Sequence, residues 1–162
     1  MSDDAAVGHR VWLEKAIELA TEKSKAGCGG PFGAVVVRDN TLIAAAWNEV
    51  TVAMDPTAHA EVQAIRVACR ALGHFQLSDC ILYSSCEPCP MCLGAIYWAR
   101  PKAVYFSATR HQAAAAGFDD AHIYEQIQTP PQTRKIPFHQ IALANTTQPF
   151  DMWSSLDDKR HY

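Results

Sequence analysis

Two short stretches carry residue types that can do chemistry together: His59-Ala60-Glu61, and Pro88-Cys89-Pro90-Met91-Cys92. One imidazole and two thiolates are good zinc ligands, and a site with three protein ligands keeps a fourth position for water, as catalytic rather than structural zinc sites do. Water at such a metal ionises near neutral pH and becomes a nucleophile. Adding it to an unsaturated carbon and expelling a leaving group requires one proton on the neighbouring heteroatom and a second on the departing group. One carboxylate can carry both, and Glu61 is the residue expected to do so. The bland readings are weaker. A purely structural zinc would need a fourth protein ligand, for which Cys86 is the nearby candidate. A redox dithiol of Cys89 and Cys92 leaves the His-x-Glu unused.

The remaining composition narrows the class. Six cysteines in a secreted chain would suggest a disulfide framework. Here Asp3, Asp4, Arg10, Glu14 and Lys15 interrupt the first 18 residues, so neither a signal peptide nor a membrane span is expected and the protein reads as cytoplasmic. Cys28, Cys69 and Cys80 then read as small buried hydrophobes. Cys86 lies off the ligand spacing, where its backbone rather than its thiol is expected to matter. A net charge of −3 with scattered Lys and Arg weighs against a nucleic-acid partner, since gripping a polyanion calls for a basic stripe. The histidines at 9, 74, 111, 122, 139 and 161 show no ligand spacing and read as surface or loop residues.

The elements that must position these groups follow from periodicity. At 162 residues the chain is expected to form a single domain, 1–162. Trp12, Ala16, Leu19 and Ala20 recur at helical spacing within residues 11–26. Gly29-Gly30-Pro31 turns the chain into a β-branched run at 32–37 that reads as a buried strand, and Asp39-Asn40 makes a hairpin to a second strand at 42–47. Asp55-Pro56-Thr57 precedes a helix over 58–72 with an apolar face of Ala60, Ala64, Val67, Ala68 and Ala71. His59 and Glu61 fall in its first turn, where free N–H groups and the positive end of the dipole favour an ionised carboxylate and an unprotonated imidazole. A third strand over 81–84 leads to a helix ending near 99, with Cys89 and Cys92 directed to one side of its first turn. Strands over 103–107 and 138–144, separated by a helix at 121–128, and a final helix over 149–159 complete an α/β, three-layer α/β/α domain with a five-stranded mixed sheet.

H-x-E paired with P-C-x-x-C is a recognised signature of zinc-dependent nucleobase deaminases. The wider run Gly29-Gly30-Pro31-Phe32-Gly33-Ala34-Val35, then Asp55-Pro56-Thr57-Ala58-His59-Ala60-Glu61, then residues 84–100 closely resembles bacterial guanine deaminases of the cytidine deaminase superfamily. The likeness continues through Ala116-Gly117-Phe118-Asp119-Asp120 and Ile123-Tyr124 to Tyr162, so it covers nearly the whole chain. The metal motif is shared with tRNA adenosine deaminases and cytosine deaminases; the Gly117-Phe118-Asp119-Asp120 segment and the aromatic C-terminus are what point to guanine.

The resemblance implies a cytidine-deaminase-like fold, one Zn2+ per subunit, and hydrolysis of guanine to xanthine and ammonia in purine catabolism, with guanosine, cytosine or tRNA adenosine as the alternative substrates. It implies that Asn48 hydrogen-bonds the purine, that Phe32 and Trp98 wall the flat ring, that Ala60 lies at the substrate, and that Asp120 and Tyr162 make the polar contacts that distinguish guanine. Taken alone, Asn48 could equally form a turn, Phe32 and Trp98 could pack in the core, and Asp120 could cap a helix. The resemblance also implies a homodimer that exchanges a C-terminal segment of about residues 146–162, in which Phe150, Met152, Trp153 and Leu156 call for a partner face.

Overall fold

A computed structural model of the chain describes residues 3–118 and 120–162; Met1, Ser2 and Asp119, and the side chains of residues 3–6, lie outside that description. Asp119 belongs to the motif that points to guanine. Backbone proximity divides the chain into one compact unit ending at Asp120 and a second over Ala121–Tyr162.

The first unit contains α1 (Asp3–Lys25), β1 (Gly33–Arg38), β2 (Thr41–Trp47), α2 (Val50–Ala53), α3 (Ala60–Leu72), β3 (Ile81–Cys86), α4 (Pro90–Ala99), β4 (Ala103–Ala108) and α5 (Arg110–Ala115). Among the described residues the sheet has four strands in the order β2-β1-β3-β4. β1 is antiparallel to β2 and to β3, whereas β3 and β4 are parallel, as the crossover through α4 requires. Side chains alternate across β1, so its unbroken apolar run serves two cores. Ala34 and Val36 pack with Ala60, Ala64 and Ala68 of α3 and with Ile96 and Ala99 of α4. Val35 and Val37 join Tyr83 on the opposite face, against Trp12 and Leu13 of α1. This is the expected α/β/α layering on a mixed sheet.

Local chemistry explains the turns and several boundaries. Asp39 and Asn40 take φ of 48° and 57°, the two positive values that a tight type I′ hairpin needs and that Asp and Asn tolerate. Gly33 lies so close to α1 that a Cβ there would collide with the Ala16 carbonyl and the Ala20 N–H, which is how α1 approaches the sheet. That helix begins at Asp3 rather than near residue 11. His9 therefore lies on a helix, not in a loop; its Nδ1 is 2.8 Å from the Tyr83 hydroxyl and its ring stacks on Tyr105 at 4.0 Å. The buried stripe of α3 is Ala60, Glu61, Ala64 and Ala68. Val67 and Ala71 face outward, with Ile65 and Leu72 packing in their place. The stripe is rotated because it buries a carboxylate along with the alanines.

The second unit comprises α6 (Ala121–Gln128), a 3₁₀ turn (Pro131–Thr133) and α7 (Gln148–Ser155). The fifth strand expected over 138–144 does not form: residues 138–143 have no regular structure. Phe138, Ile141 and Leu143 alternate as a strand would, yet all three are exposed. A strand exists only through pairing, and among the described residues no strand supplies its backbone partners. Apolar alternation here signals a need for cover, not a place in a sheet. No residue of this unit is buried.

Candidate active site

The strand ends set the site. The turn before β1, the end of β2, the end of β3 and the start of α5 after β4 all lie at one end of the sheet, because β1 and β2 run antiparallel and β3 and β4 run parallel. His59 is the N-cap of α3 (φ −70°, ψ 153°) and Cys89 the N-cap of α4 (φ −65°, ψ 168°), rather than first-turn residues. At both positions the backbone is extended and the side chain makes no capping hydrogen bond. An N-cap side chain normally accepts from the first free N–H groups. Here both are released to turn toward each other, and Pro90 at the start of α4 brings no N–H to satisfy. Asp55 Oδ1 accepts from the backbone N–H and the hydroxyl of Thr57 at 2.8 and 2.7 Å, which shapes the chain two residues before His59.

Cys92 lies in the first turn of α4 and is wholly buried. The Sγ atoms of Cys89 and Cys92 are each 3.5 Å from His59 Nδ1, and the three ligand atoms lie within 4.8 Å of one another. A tetrahedral zinc with Zn–S of about 2.3 Å and Zn–N of about 2.0 Å sets its sulfur and nitrogen ligands roughly 3.5 Å apart. The donor set and its spacing therefore fit zinc. Cys86 is not part of the cluster; its thiol lies 3.8 Å from the Thr109 carbonyl. Among the described residues no fourth protein ligand joins the three.

The same crowding governs protonation. A hydrogen bond from Cys92 holds the Cys89 thiol down at about 4. That bond, with burial, pushes the Cys92 thiol up. His59 is raised, chiefly by its hydrogen bond to Cys89. Without metal, the pair of thiols keeps one proton and the imidazole gains affinity for another. Glu61 is only 6% exposed, and burial raises its pKa. Its carboxylate accepts from the Ser84 hydroxyl at 3.3 Å and from the Cys92 thiol at 3.4 Å. A carboxyl whose neutral form is made accessible can both take and give a proton.

His59, Glu61 and Cys89 line a cleft of about 400 Å³ together with Phe32, Asn48, Glu87, Arg110, Phe118 and Asp120, with Cys92 buried outside the lining. Asn48 is 7% exposed, and its Oδ1 accepts from the N–H groups of Gly30 and Val50, each at 3.3 Å. With the oxygen engaged, the amide nitrogen is the end left to donate. A Cβ at Gly30 would lie 3.3 Å from Asn48 Oδ1, so a side chain there would have to push that amide aside by a few tenths of an ångström. Phe32 meets Phe118 edge-on, with centroids 5.0 Å apart and planes at 88°, a geometry worth about 0.5–1.5 kcal/mol beyond area burial. The Asp120 carboxylate acts electrostatically on His59.

Two of the expected substrate contacts fall outside the cleft lining. Ala60 is fully buried in the core beneath α3, and Trp98 is a 63% exposed residue of α4. Tyr162 belongs to the second unit. Sequence reasoning overlooked Ser84, Phe118, and the pairing of the Glu87 carboxylate with the Arg110 N–H at 3.0 Å. Ser84 was concealed because a buried strand serine carries no spacing signal. Glu87 and Phe118 stand inside the quoted motifs and could have been singled out as cleft residues.

Residues 7–108 match the family described as "Cytidine and deoxycytidylate deaminase zinc-binding region". The guanine deaminase of Bacillus subtilis (strain 168) is 56% identical over 156 residues, covering 96% of this chain and 100% of that protein. Its crystal structure superposes with a TM-score of 0.94 over 95% of this chain and 98% of that one. A guanine deaminase structure from Nitrosomonas europaea gives a TM-score of 0.63 at 33% identity, over 67% of this chain and 63% of that one. A tRNA-specific adenosine deaminase from Haemophilus influenzae is 40% identical over 114 residues, 67% of this chain and 65% of that protein.

Metal uptake must displace the protons held by Cys92 and His59, whose affinities are raised in the metal-free site. Raising the pH removes these competitors, so zinc affinity should climb with pH, by roughly tenfold per unit for each proton displaced. Competition titrations with a chelator from mildly acid to neutral pH should show that climb. A flat profile would contradict this arrangement of protons.

Proposed function

Since this chain belongs to the cytidine and deoxycytidylate deaminase zinc-binding family, we propose that it hydrolyses guanine to xanthine and ammonia, with one zinc per chain held by His59, Cys89 and Cys92. The metal signature alone is common to several deaminases. The observation that carries the choice is the likeness to the Bacillus subtilis guanine deaminase, 56% identical over 96% of this chain, against 40% over 67% for a tRNA-specific enzyme.

When bound, zinc supplies Lewis acidity that brings the pKa of a water down toward neutrality. Glu61 receives the proton that this water gives up as its oxygen bonds to C2 of the base, and delivers it to N3. It then collects the second proton of that oxygen and hands it to the exocyclic amine, which leaves as ammonia when the C2–N bond breaks. The carboxylate ends as it began. Its burial favours this relay, because both protonation states are within reach, and the Ser84 hydroxyl steadies one oxygen while the other works. Asn48 donates from its amide nitrogen to an acceptor on the purine, Asp120 accepts from a ring N–H, and Phe32 covers a face of the ring. A base lacking the matching groups leaves these polar atoms unpaired, which discriminates far better than an apolar slot. Ala60, Trp98 and Tyr162 complete the proposed substrate contacts by resemblance.

The reading extends to one functional domain per chain, and to a homodimer in which about residues 146–162 are exchanged. An unburied second unit with exposed Ile136, Phe138, Phe150 and Met152 supports it, as does the low cost of exchanging an identical element. Among the described residues no helix is long and apolar enough to cross a membrane. Two thiolate ligands suit a reducing setting such as the cytoplasm.

Ammonia release should follow addition of guanine and not of adenine, cytosine, guanosine or tRNA. Glu61→Gln should keep its zinc and lose roughly 10²–10⁴-fold in guanine turnover, since only proton transfer is removed; near-normal turnover would assign the relay to another group. Removing His161 and Tyr162 should leave zinc and fold intact and lower guanine turnover on the order of a hundredfold, the scale of one or two charge-assisted contacts. Full activity in that truncated protein would remove Tyr162 from the site. In the same preparations, sedimentation should give about twice 17.8 kDa at micromolar concentration; a monomer alone would contradict the exchanged dimer.

A further inference from the structure

Behind one wall of the cleft lies a second cavity of about 310 Å³. The two voids share Phe32, Cys86, Ala113 and Phe118 in their linings, so these four residues form the partition between them. Two are fixed by regular structure and a third, Phe32, by a backbone hydrogen bond beside it. The Phe32 carbonyl accepts from the Asn48 N–H at 3.0 Å just before β1, Cys86 ends β3, and Ala113 lies within α5.

Phe118 is held more lightly. It follows Gly117, whose φ of 91° is a turn conformation that a side chain would resist, and its ring is 45% exposed. Its backbone N–H donates to the Ala113 carbonyl at 3.0 Å, while the ring meets Phe32 edge-on. Turning the Phe118 side chain about its rotamers therefore gives up an aromatic contact and no hydrogen bond. That motion opens the cleft into the rear cavity, whose far side is apolar at Ile17 and Ala20.

The chemistry says what could enter. Reaction at C2 requires the six-membered ring of the base to face Glu61 and the metal ligands, so the imidazole ring is directed away from them. A substituent on that ring must then be taken up by the walls, and the Phe32–Phe118 wall has a void behind it. We propose that Phe118 is a specificity-determining residue: in place, it restricts the cleft to the bare base, and moved or shortened, it lets the rear cavity accept a small alkyl group carried on the imidazole ring of a guanine. This rests on the guanine reading above.

The test uses the zinc-loaded protein with guanine, 7-methylguanine and 9-methylguanine, measuring turnover and calorimetric affinity in the wild type, Phe118→Ala and Phe118→Leu. One methyl group in a matched apolar pocket is worth about ten- to two-hundredfold. Phe118→Ala should raise the ratio of kcat/KM for at least one methylated base over guanine by about tenfold or more, with a matching change in the ratio of affinities, while zinc content stays at the wild-type value and the melting temperature falls by no more than a few degrees, as loss of one aromatic contact implies. Phe118→Leu should give a smaller change in the same direction, and it provides the reading if the alanine variant fails to fold. Unchanged ratios in folded, zinc-loaded variants that still deaminate guanine would overturn the partition. Failure of the wild type to deaminate guanine would overturn the guanine reading instead, and the affinity ratios would still decide the role of Phe118.

Discussion

Everything at this site depends on three donor atoms being brought within 4.8 Å of one another by the starts of two helices. α3 and α4 pack side by side on one face of the sheet, and each gives up the usual capping role of its N-cap side chain so that His59 and Cys89 can meet. The cost is two helix starts without side-chain caps, each about 1 kcal/mol in typical proteins. Metal ligation offsets it. The uncapped N–H groups and the positive ends of both helices favour thiolate and carboxylate, and so act against the burial that raises Glu61 and Cys92.

Burial does the second part of the work. Glu61 faces inward because α3 turns an alanine-rich stripe to the sheet, and the carboxylate travels with that stripe between Ala60 and Ala64. An ionised group there is costly, so its proton affinity rises. The same packing that forms the core therefore raises the proton affinity of Glu61, the proton carrier of the proposed mechanism. Small residues make this possible: alanines on α3 and Gly33 at the edge of β1 let helices sit close on the sheet on both faces.

How much of this could be read from the sequence varies by the range of the interaction responsible. The ligand spacing, the Asp39-Asn40 hairpin, the two-sided burial of β1 and the α/β/α class were legible because each follows from neighbours along the chain. The fifth strand was misread because Phe138, Ile141 and Leu143 show the right alternation while pairing depends on a distant strand that is not there. The rotated face of α3 was misjudged at Val67 and Ala71 because helical periodicity cannot foresee that Glu61 is buried. The His9 contact with Tyr83 and the Ser84 contact with Glu61 join residues 74 and 23 positions apart in sequence, and no local pattern records them. The same holds for the cleft: Phe32 and Phe118 meet only because the turn before β1 and the segment after α5 reach the same end of the sheet.

The proposed chemistry requires that three protein ligands, two sulfur and one nitrogen, hold the metal and leave one position for water. Zinc K-edge X-ray absorption on the purified, metal-loaded protein tests it most directly. The account predicts two sulfur neighbours at about 2.3 Å and two nitrogen or oxygen neighbours at about 2.0–2.1 Å. A shell of three or four sulfurs would bring Cys86 or another thiol to the metal, close the water position, and contradict the reading of this site as catalytic.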